Sequence, residues 1–480
     1  MKLFLRLIFL LVALNLVSLV RADAPNIILI LADDMGYGDL GFTGSRHLRT
    51  PHLDALAESG VFCEQGYVTS PVCSPSRAGL LTGRDPRRFG YQGNLNKEDS
   101  AYPTRPELLG LPPGEHTLGD HLRAAGYATA LIGKWHQGIG EGFHPNERGF
   151  DYFCGMLSGG HSYFPGKGKN RIERNGVPVT EFSSDYLTDF FTDEGLAWMK
   201  TQAKSERPWF VFLSYNAPHG PMQATEEDIA LFPHIEDEKR RIYAAMMWAL
   251  DRGVGRVREW LEESGELEDT LIVFFSDNGG PTPNNASWNG PLSGGKGCLK
   301  EGGIRVPMIW SWPGTLPAAG RYSAPASALD LLPSFLAAAG SEPLPVRERF
   351  GHEDKRNYNL YAEKFGDYEG IDLLPLLKGQ ENPPHRTLFW RLQGQAVVRD
   401  GDDKLCRLSH RPSQQFNPVL DPGEVSDLSS PGNERFLELF RLLSEWESSL
   451  PTDPLWGSSP YWEGPSAKYY DELLPVPEPD

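Results

Sequence analysis

The chain has little cysteine and a shortage of positive charge, and each shortage excludes a class of protein. Five cysteines in 480 residues are too few for a disulfide scaffold. Four of them could form zero, one or two bridges: Cys63, Cys154, Cys298 and Cys406. The net charge is −18, with 46 basic and 64 acidic residues, so we expect no nucleic-acid partner. The absence of Cys-x-x-Cys and His-x-Glu-x-His spacings leaves no indication of zinc.

Long apolar runs are also scarce, and the one near the start is short. Leu7–Val20 follows two basic residues and ends near Val20-Arg21-Ala22, a pattern typical of a secretory signal peptide over residues 1–22. The alternative is a membrane anchor, but this run is broken by Asn15 and falls short of the roughly 20 apolar residues of a span. We therefore expect a secreted or periplasmic protein with no stable membrane span.

The sequence does contain alternating apolar and amphipathic stretches, which predict an α/β fold on a largely parallel sheet. The predicted buried strands cover 26–31, 127–132, 209–213, 271–275 and 306–310. Helical periodicity extends over 236–263 and 326–339.

From about residue 376 the pattern changes to short alternating segments followed by an amphipathic helix over 434–448. We therefore expect a large domain over 23–375. A small antiparallel-sheet-plus-helix subdomain would occupy 376–480, with a tail after Leu450 that wraps the surface.

Polar motifs follow the carboxyl ends of four predicted strands. They are Asp33-Asp34, Lys134 with His136, His219, and Asp277-Asn278. Any one of these would more often be a turn or cap residue. Ligands of open α/β sheets bind outside the carboxyl ends of the strands, so the joint arrangement predicts one site. The oxygen donors among these residues suit a hard cation such as Ca²⁺.

The pentapeptide Cys73-Ser74-Pro75-Ser76-Arg77 lies within a longer run, Ser70–Arg84. Together with Asp33-Asp34, Gly133–His136, Pro218–Pro221, Ser276–Gly279 and Gly294–Lys296, it resembles the formylglycine-dependent (type I) sulfatases. That family includes arylsulfatase A, N-acetylgalactosamine-6-sulfatase and bacterial polysaccharide sulfatases. The resemblance implies an alkaline-phosphatase-like fold with a large mixed, mostly parallel sheet flanked by helices.

The resemblance also implies a cofactor and a modified residue. Cys73 would be oxidised to formylglycine (3-oxoalanine) by a formylglycine-generating or an anaerobic sulfatase-maturating enzyme. One Ca²⁺ ion would be held by five residues: Asp33, Asp34, residue 73, Asp277 and Asn278. The alternative for Cys73 is a buried structural thiol, which is the usual state of an isolated cysteine.

The same resemblance assigns roles to five further residues. Arg77 would hold the aldehyde hydrate and the metal carboxylates in place, while Lys134 and Lys296 would neutralise sulfate oxygens. His219, with or without help from Lys296, would protonate the departing alcohol, and His136 would take a proton from residue 73. His136 could equally be a packed neighbour of Trp135.

Two further segments have open interpretations. His161, in the glycine-rich segment 158–163, is either a substrate-binding residue at the pocket rim or part of an ordinary surface loop. Asn285-Ala286-Ser287 would be a glycosylation acceptor if the source is eukaryotic.

We therefore expect a sulfatase that acts on sulfated carbohydrate, either polysaccharide or glycosaminoglycan-type oligosaccharide. The alternatives are a formylglycine-dependent phosphodiester or phosphonate monoester hydrolase and an inactive relative that binds sulfated glycans. The sugar, the sulfated position and exo or endo action stay open.

Overall fold

A computed structural model describes residues 24–95, 110–166, 171–345, 368–409, 411–430 and 432–450. The predicted signal peptide and the predicted surface-wrapping tail lie outside these residues. All five cysteines are described, are buried and form no disulfide. Within the described ranges, no helix combines the length and apolar character needed to cross a membrane.

Ten strands of the described chain form one large sheet, in the order β10-β2-β9-β8-β1-β7-β3-β4-β5-β6. They are β1 (Asn26–Ala32), β2 (Val61–Tyr67), β3 (Ala128–Lys134), β4 (Tyr152–Met156), β5 (Glu173–Arg174), β6 (Val177–Pro178), β7 (Trp209–Ser214), β8 (Thr270–Ser276), β9 (Arg305–Ser311) and β10 (Gly320–Ser327). β1 is parallel to β7 and β8, and β3 is parallel to β4 and β7. β9 is antiparallel to β2 and β8. The predicted mixed, mostly parallel sheet is confirmed.

The α-helices of the described chain are α1 (Pro51–Glu58), α2 (Cys73–Thr82), α3 (Leu118–Ala124), α4 (Leu187–Gln202), α5 (Glu226–Ile229), α6 (Glu238–Ser264), α7 (Thr282–Asn285), α8 (Glu301–Ile304), α9 (Leu331–Ala338), α10 (Leu374–Leu377) and α11 (Glu434–Ser448). The helix expected over 326–339 is shorter than predicted, because residues 326 and 327 pair with β2 as the end of β10. The sequence of β1 shows no alternation of apolar and polar residues, because both faces of this strand are buried.

Helices cover both faces of the sheet. Ile28 and Ile30 of β1 point to one core, which they share with α4 and α6. Leu29 of the same strand points to the second core, which it shares with α2, α3 and α9. This two-sided burial explains why the central strands appear in the sequence as unbroken apolar runs.

A second, antiparallel sheet of the described chain consists of β11 (Thr387–Leu392), β12 (Gln395–Asp400), β13 (Asp403–Leu408) and β14 (Gln414–Phe416). α11 packs on it through Leu439, Leu443 and Trp446. The predicted small sheet-plus-helix unit is confirmed, whereas the boundary at residue 376 stays a prediction.

A buried ion cluster connects the small sheet to the large one. Lys404 of β13 is fully buried, and its Nζ lies 2.9 Å from Glu301 Oε1 and 2.8 Å from Glu424 Oε1. The Tyr67 hydroxyl at the end of β2 donates to Glu301 Oε2 over 2.6 Å. The two units therefore share charged groups as well as apolar contacts.

Candidate active site

Strands β1, β3, β7 and β8 end at the same edge of the large sheet, and the predicted polar residues follow there. The backbone continues the pairing beyond the strands: the Asp33 amide donates to Ala217 O over 2.9 Å, and the Asp277 amide donates to Ala32 O over 3.0 Å. Parallel strands place their carboxyl ends together, so residues far apart in sequence become neighbours.

Oxygen donors and one thiol converge at this edge. The Cys73 Sγ lies 3.5 Å from Asp33 Oδ1 and 3.9 Å from Asp34 Oδ1. Ligand atoms of Asp33, Asp34, Cys73 and His219 all lie within 4.8 Å of one another. Asp277 joins the group because its Oδ1 accepts the Asp34 amide over 3.2 Å. The structure thus brings these predicted residues into one cluster.

The cluster includes a carbonyl oxygen whose environment fits a cation. Asn278 donates its Nδ2 to Asp34 Oδ1 over 2.7 Å, while its Oδ1 is buried without a hydrogen-bond partner among the described residues. A buried unpartnered acceptor costs about 1–3 kcal/mol. Carboxylate and amide oxygens are the ligands that Ca²⁺ prefers, so the donor set fits this ion.

The backbone of the site is strained at two places. Asp34 has φ = 68° and His136 has φ = 58°, in a region that residues other than glycine rarely occupy. The side chain of Asn285 donates to the Asp34 carbonyl over 3.0 Å and helps to hold that conformation. Asn285 is only 1% exposed, so the possible glycosylation acceptor of the sequence is enclosed in the folded protein.

Cys73 is the first residue of α2, and its side chain is buried. The helix continues the chain behind the thiol, and a helix N-terminus favours negative charge. Lys296 Nζ lies 3.0 Å from the sulfur. Burial would raise the pKa of the Cys73 thiol, but Lys134 and Lys296 outweigh it and lower the pKa.

Arg77 joins three elements beneath the cluster. Its Nε contacts Asp277 Oδ2 at 2.9 Å, and its Nη1 donates to Ser214 Oγ over 2.6 Å and to Lys134 O over 3.2 Å. The side chain is 1% exposed. Arg77 therefore fixes the ends of β3, β7 and β8 with respect to α2 and cannot itself reach solvent.

Two lysines neutralise the carboxylates. Lys134 Nζ lies 2.5 Å from Asp33 Oδ2, and Lys296 Nζ lies 2.6 Å from Asp34 Oδ1. Burial would raise the pKa of Asp34, but Lys296 and the neighbouring cations hold it below its usual value. Burial and the nearby Asp33 instead raise the pKa of Asp277 to about 6. The carboxylates therefore have different proton affinities within one cluster.

The two histidines of the site differ in exposure and in charge environment. His219 Nε2 lies 3.5 Å from Asp34 Oδ2, and its side chain is 26% exposed. Burial would lower the pKa of His219, but Asp33 and Asp34 raise it above its usual value. His136 is buried, and this burial, together with Lys134 and Arg77, lowers its pKa. Neighbouring titratable groups with divergent pKa values are typical of acid–base pairs.

The glycine-rich segment 158–163 lies against both histidines. A Cβ on Gly159 would fall 2.6 Å from His136 Cε1, and one on Gly160 would fall 3.6 Å from His219 Cε1. His161 is 6% exposed, and its Nδ1 lies 2.5 Å from the Ser162 carbonyl oxygen. The loop reaches the site, while substrate binding by His161 stays a prediction.

Several supporting residues were not predicted. Ser214 and Ser276 are the last residues of β7 and β8; Ser214 binds Arg77, and Ser276 Oγ accepts the Met35 amide over 3.1 Å. Gln137 donates to the Ser74 carbonyl over 2.8 Å. The sequence signal that could have indicated each serine was its position at the end of a strand. Serine is common at such positions without any role in a site, so the signal is weak.

Comparison with known proteins gives concordant matches. The sequence model of the protein family described as Sulfatase matches residues 25–341. N-acetylgalactosamine-6-sulfatase of Mus musculus is 34% identical over 392 residues, covering 78% of this chain and 70% of the relative. Arylsulfatase A of Homo sapiens is 33% identical over 474 residues, covering 86% and 84%.

The solved structure of Ps i-CgsB in complex with k-i-k-neocarrahexaose superposes with a TM-score of 0.81 at 36% identity, and the match covers 93% of this chain and 98% of that one. The fold, the strand-edge cluster and these matches agree. The chain therefore belongs to the sulfatase family and is a sulfuric ester hydrolase.

Proposed function

We propose that this enzyme hydrolyses sulfate esters of carbohydrates and that residue 73, after conversion of its thiol to formylglycine, carries the nucleophile. The observation that supports this most directly is the position of Cys73 at the start of α2, 3.5 Å from Asp33 and 3.0 Å from Lys296. Relatives named for an N-acetylgalactosamine sulfate and a neighbour bound to neocarrahexaose support carbohydrate as the substrate class.

Asp33, Asp34, Asp277 and Asn278 would hold Ca²⁺ beside residue 73. The ion would supply positive charge close to the sulfate group, and the hydrated aldehyde of formylglycine would supply a hydroxyl nucleophile. The unpartnered Asn278 Oδ1 and the three buried carboxylates support this assignment.

The side chains around residue 73 would divide the remaining work. Lys134 and Lys296 neutralise the sulfate oxygens, and fixed charges in a buried site are worth more than in water. His219 is the more exposed histidine and gives its proton to the oxygen of the departing alcohol. His136 lies next to the α2 start, since its carbonyl accepts the Ser74 hydroxyl over 2.8 Å, and it accepts a proton from residue 73.

The cellular context completes the proposal. Residues 1–22 would direct the chain to a secreted or periplasmic location. A formylglycine-generating or anaerobic sulfatase-maturating enzyme would act on Cys73. Residues 23–375 would form the catalytic domain, and 376–480 would form the C-terminal subdomain with its tail.

The decisive experiment compares Cys73→Ser with Cys63→Ser, expressed together with a maturating enzyme. A serine hydroxyl can attack sulfur once, but its sulfate ester has no second hydroxyl on the same carbon to expel sulfate. We expect Cys73→Ser to stop turning over while its intact mass rises by the mass of one sulfuryl (SO₃) group. Cys63→Ser, a matched change of another buried thiol, should retain turnover.

Peptide mass spectrometry of the wild type should show an aldehyde at residue 73. Near-wild-type turnover by folded Cys73→Ser would contradict the proposed nucleophile.

A further inference from the structure

A cavity of about 900 Å³ lies between the large sheet and the small C-terminal sheet. Strands β2 and β10 supply one wall, and the segments 383–386, 401–402 and 418–422 supply the other. We call it the junction groove. Its volume lies within the range of about 300–1,000 Å³ typical of ligand pockets. None of the residues proposed above for catalysis or metal binding lines it.

The wall formed by the large domain combines aromatic rings with arginines. Tyr37, Phe42 and Phe62 are the rings. The guanidinium of Arg305 lies 5.4 Å from the centre of the Tyr37 ring, and that of Arg321 lies 5.8 Å from the centre of the Phe62 ring. Apolar groups beside hydrogen-bond donors suit a sugar ring, which has an apolar face and a polar rim.

The side chains that line the junction groove include more arginines than carboxylates, in contrast to the composition of the whole chain. Three arginines line it against two carboxylates, whereas the chain has 46 basic and 64 acidic residues. Arg386 is held by Asp330 at 2.6 Å. Among the described residues Arg321 forms an ion pair with Glu64, at 2.9 Å, and its side chain is 63% exposed. An exposed pair of this kind contributes little, so Arg321 can turn to an incoming anion at small cost.

One polar atom of a groove residue, Gln65 Oε1, is buried without a hydrogen-bond partner among the described residues, while Arg305 Nη1 lies 3.6 Å from Glu301 Oε2. Arg305 and Gln65 are 9% and 7% exposed. An unpartnered buried acceptor costs about 1–3 kcal/mol, a cost that a donor group of a bound ligand would remove. A ligand with hydroxyl and sulfate groups offers both an acceptor and a donor.

We propose that the junction groove binds sulfated sugar units of the substrate chain that are remote from the ester being hydrolysed. This inference rests on the proposed carbohydrate substrate. Tyr37 follows Asp34 by three residues, and Pro291 precedes Lys296 by five, so two segments that line the groove also carry active-site residues. The enzyme would hold a polymer at two places and a small substrate at one.

The kinetic test compares Arg321→Glu with Arg441→Glu, a change at an exposed arginine of α11 outside the groove. Arg321→Glu should raise KM for a sulfated polysaccharide about fivefold to tenfold, since about 1.4 kcal/mol of binding corresponds to a factor of ten. Its kcat, and both constants for a small aryl sulfate, should not change. Arg441→Glu should behave as the wild type on both substrates.

A binding test separates this inference from the proposed function. Calorimetric titration of neocarrahexaose and of a six-unit glycosaminoglycan sulfate into Cys73→Ala should give two sites for at least one ligand, and adding Arg321→Glu should leave one. Equal polymer KM for Arg321→Glu and wild type, with one bound oligosaccharide in each background, would overturn the groove assignment even if sulfatase activity is normal. If no sulfated carbohydrate is turned over but Arg321→Glu still loses one binding site, the result would contradict carbohydrate as the substrate class and support ligand binding in the junction groove.

Discussion

At the scale of single residues, His136 and His219 illustrate how position decides chemistry. Both follow the carboxyl end of a strand, but His136 is buried beside Lys134 and Arg77, while His219 is partly exposed and faces Asp33 and Asp34. The surroundings therefore lower the pKa of His136 and raise that of His219. The first is suited to accept a proton, and the second is suited to donate one.

His219→Ala should harm substrates with poor leaving groups more than activated ones. A nitrophenolate departs without a proton, whereas a sugar alkoxide requires one, and a positioned acid typically supplies about 10²–10⁴-fold. We expect kcat/KM to fall by about that range on a sugar sulfate and far less on nitrophenyl sulfate. Equal losses on both substrates would transfer the acid role to Lys296.

Removal of the proposed Ca²⁺ should be visible in stability as well as in activity. An ion that binds only the folded state at 100 times its Kd stabilises by about 2.7 kcal/mol. We expect chelated enzyme to lose activity and to melt at a lower temperature, and added CaCl₂ to restore both. Asn278→Ala should weaken the calcium-induced rise in Tm, while Asp402→Asn, a change at an exposed acid, should not. Full activity in metal-free protein, verified by elemental analysis, would contradict the calcium site.

At the scale of elements, helix α1 depends on a residue from another helix. The side chain of Thr50, which precedes α1, does not cap it. Asp251 of α6 accepts the Leu53 amide over 2.8 Å and the His52 amide over 3.2 Å. A capping side chain is worth about 0.5–2 kcal/mol, and here the cap also joins α1 to α6.

Asp251→Ala should therefore destabilise the protein by about 2 kcal/mol or more, because two helix amides lose their acceptor. Asp251→Asn keeps one acceptor oxygen and should cost less. Urea denaturation of both variants and the wild type provides the measurement. Equal stability of wild type and Asp251→Ala would show that α1 needs no cap from α6.

The same residue predicts a pH dependence. Burial raises the pKa of Asp251 to about 7 in the folded protein from an unfolded value of 3.8. Below pH 3.8 both states are protonated; between that value and about 7 the unfolded state ionises first, and stability falls as pH rises. The difference in unfolding free energy between Asp251→Asn and wild type should therefore shift in favour of the variant from pH 4.5 to 7.5. A constant difference would contradict the raised pKa.

The strands and the motifs at their ends could be predicted from the sequence, whereas the contacts that support the motifs could not. The apolar runs are unbroken because the strands are covered on both faces, and the sheet order then brings Asp33 and Asp277 together. The supporting bonds join residues far apart in the chain: Arg77 to Ser214, and Asn285 to Asp34. No local pattern marks a side chain whose partner lies more than 100 residues away.

At the scale of the whole molecule, the buried ion cluster makes the small sheet part of the catalytic framework. Glu301, held by Lys404, begins α8, and Gly303 of the same helix accepts the Gly279 amide over 3.2 Å beside Asn278. Removing one partner of a buried ion pair typically costs about 3–5 kcal/mol, because the other charge stays buried.

Lys404→Met should accordingly lower stability by about that amount. Arg441→Met, at an exposed ion pair, should change it by less than about 1 kcal/mol. Thermal and urea unfolding provide the comparison. A small effect of Lys404→Met would mean that the two sheets are joined mainly by apolar packing.

The enclosure of residue 73 sets an order of events in the life of the protein. Cys73 is 1% exposed, and all ten residues of α2 are buried, so a second protein cannot bind this segment once the chain has folded. The proposed oxidation must then take place on a chain that has not finished folding. Folding and maturation become competing reactions with a single outcome for each molecule. A chain that folds before maturation keeps the Cys73 thiol and stays inactive for its lifetime. The active fraction of a preparation would thus measure the ratio of two rates and not the stability of the enzyme.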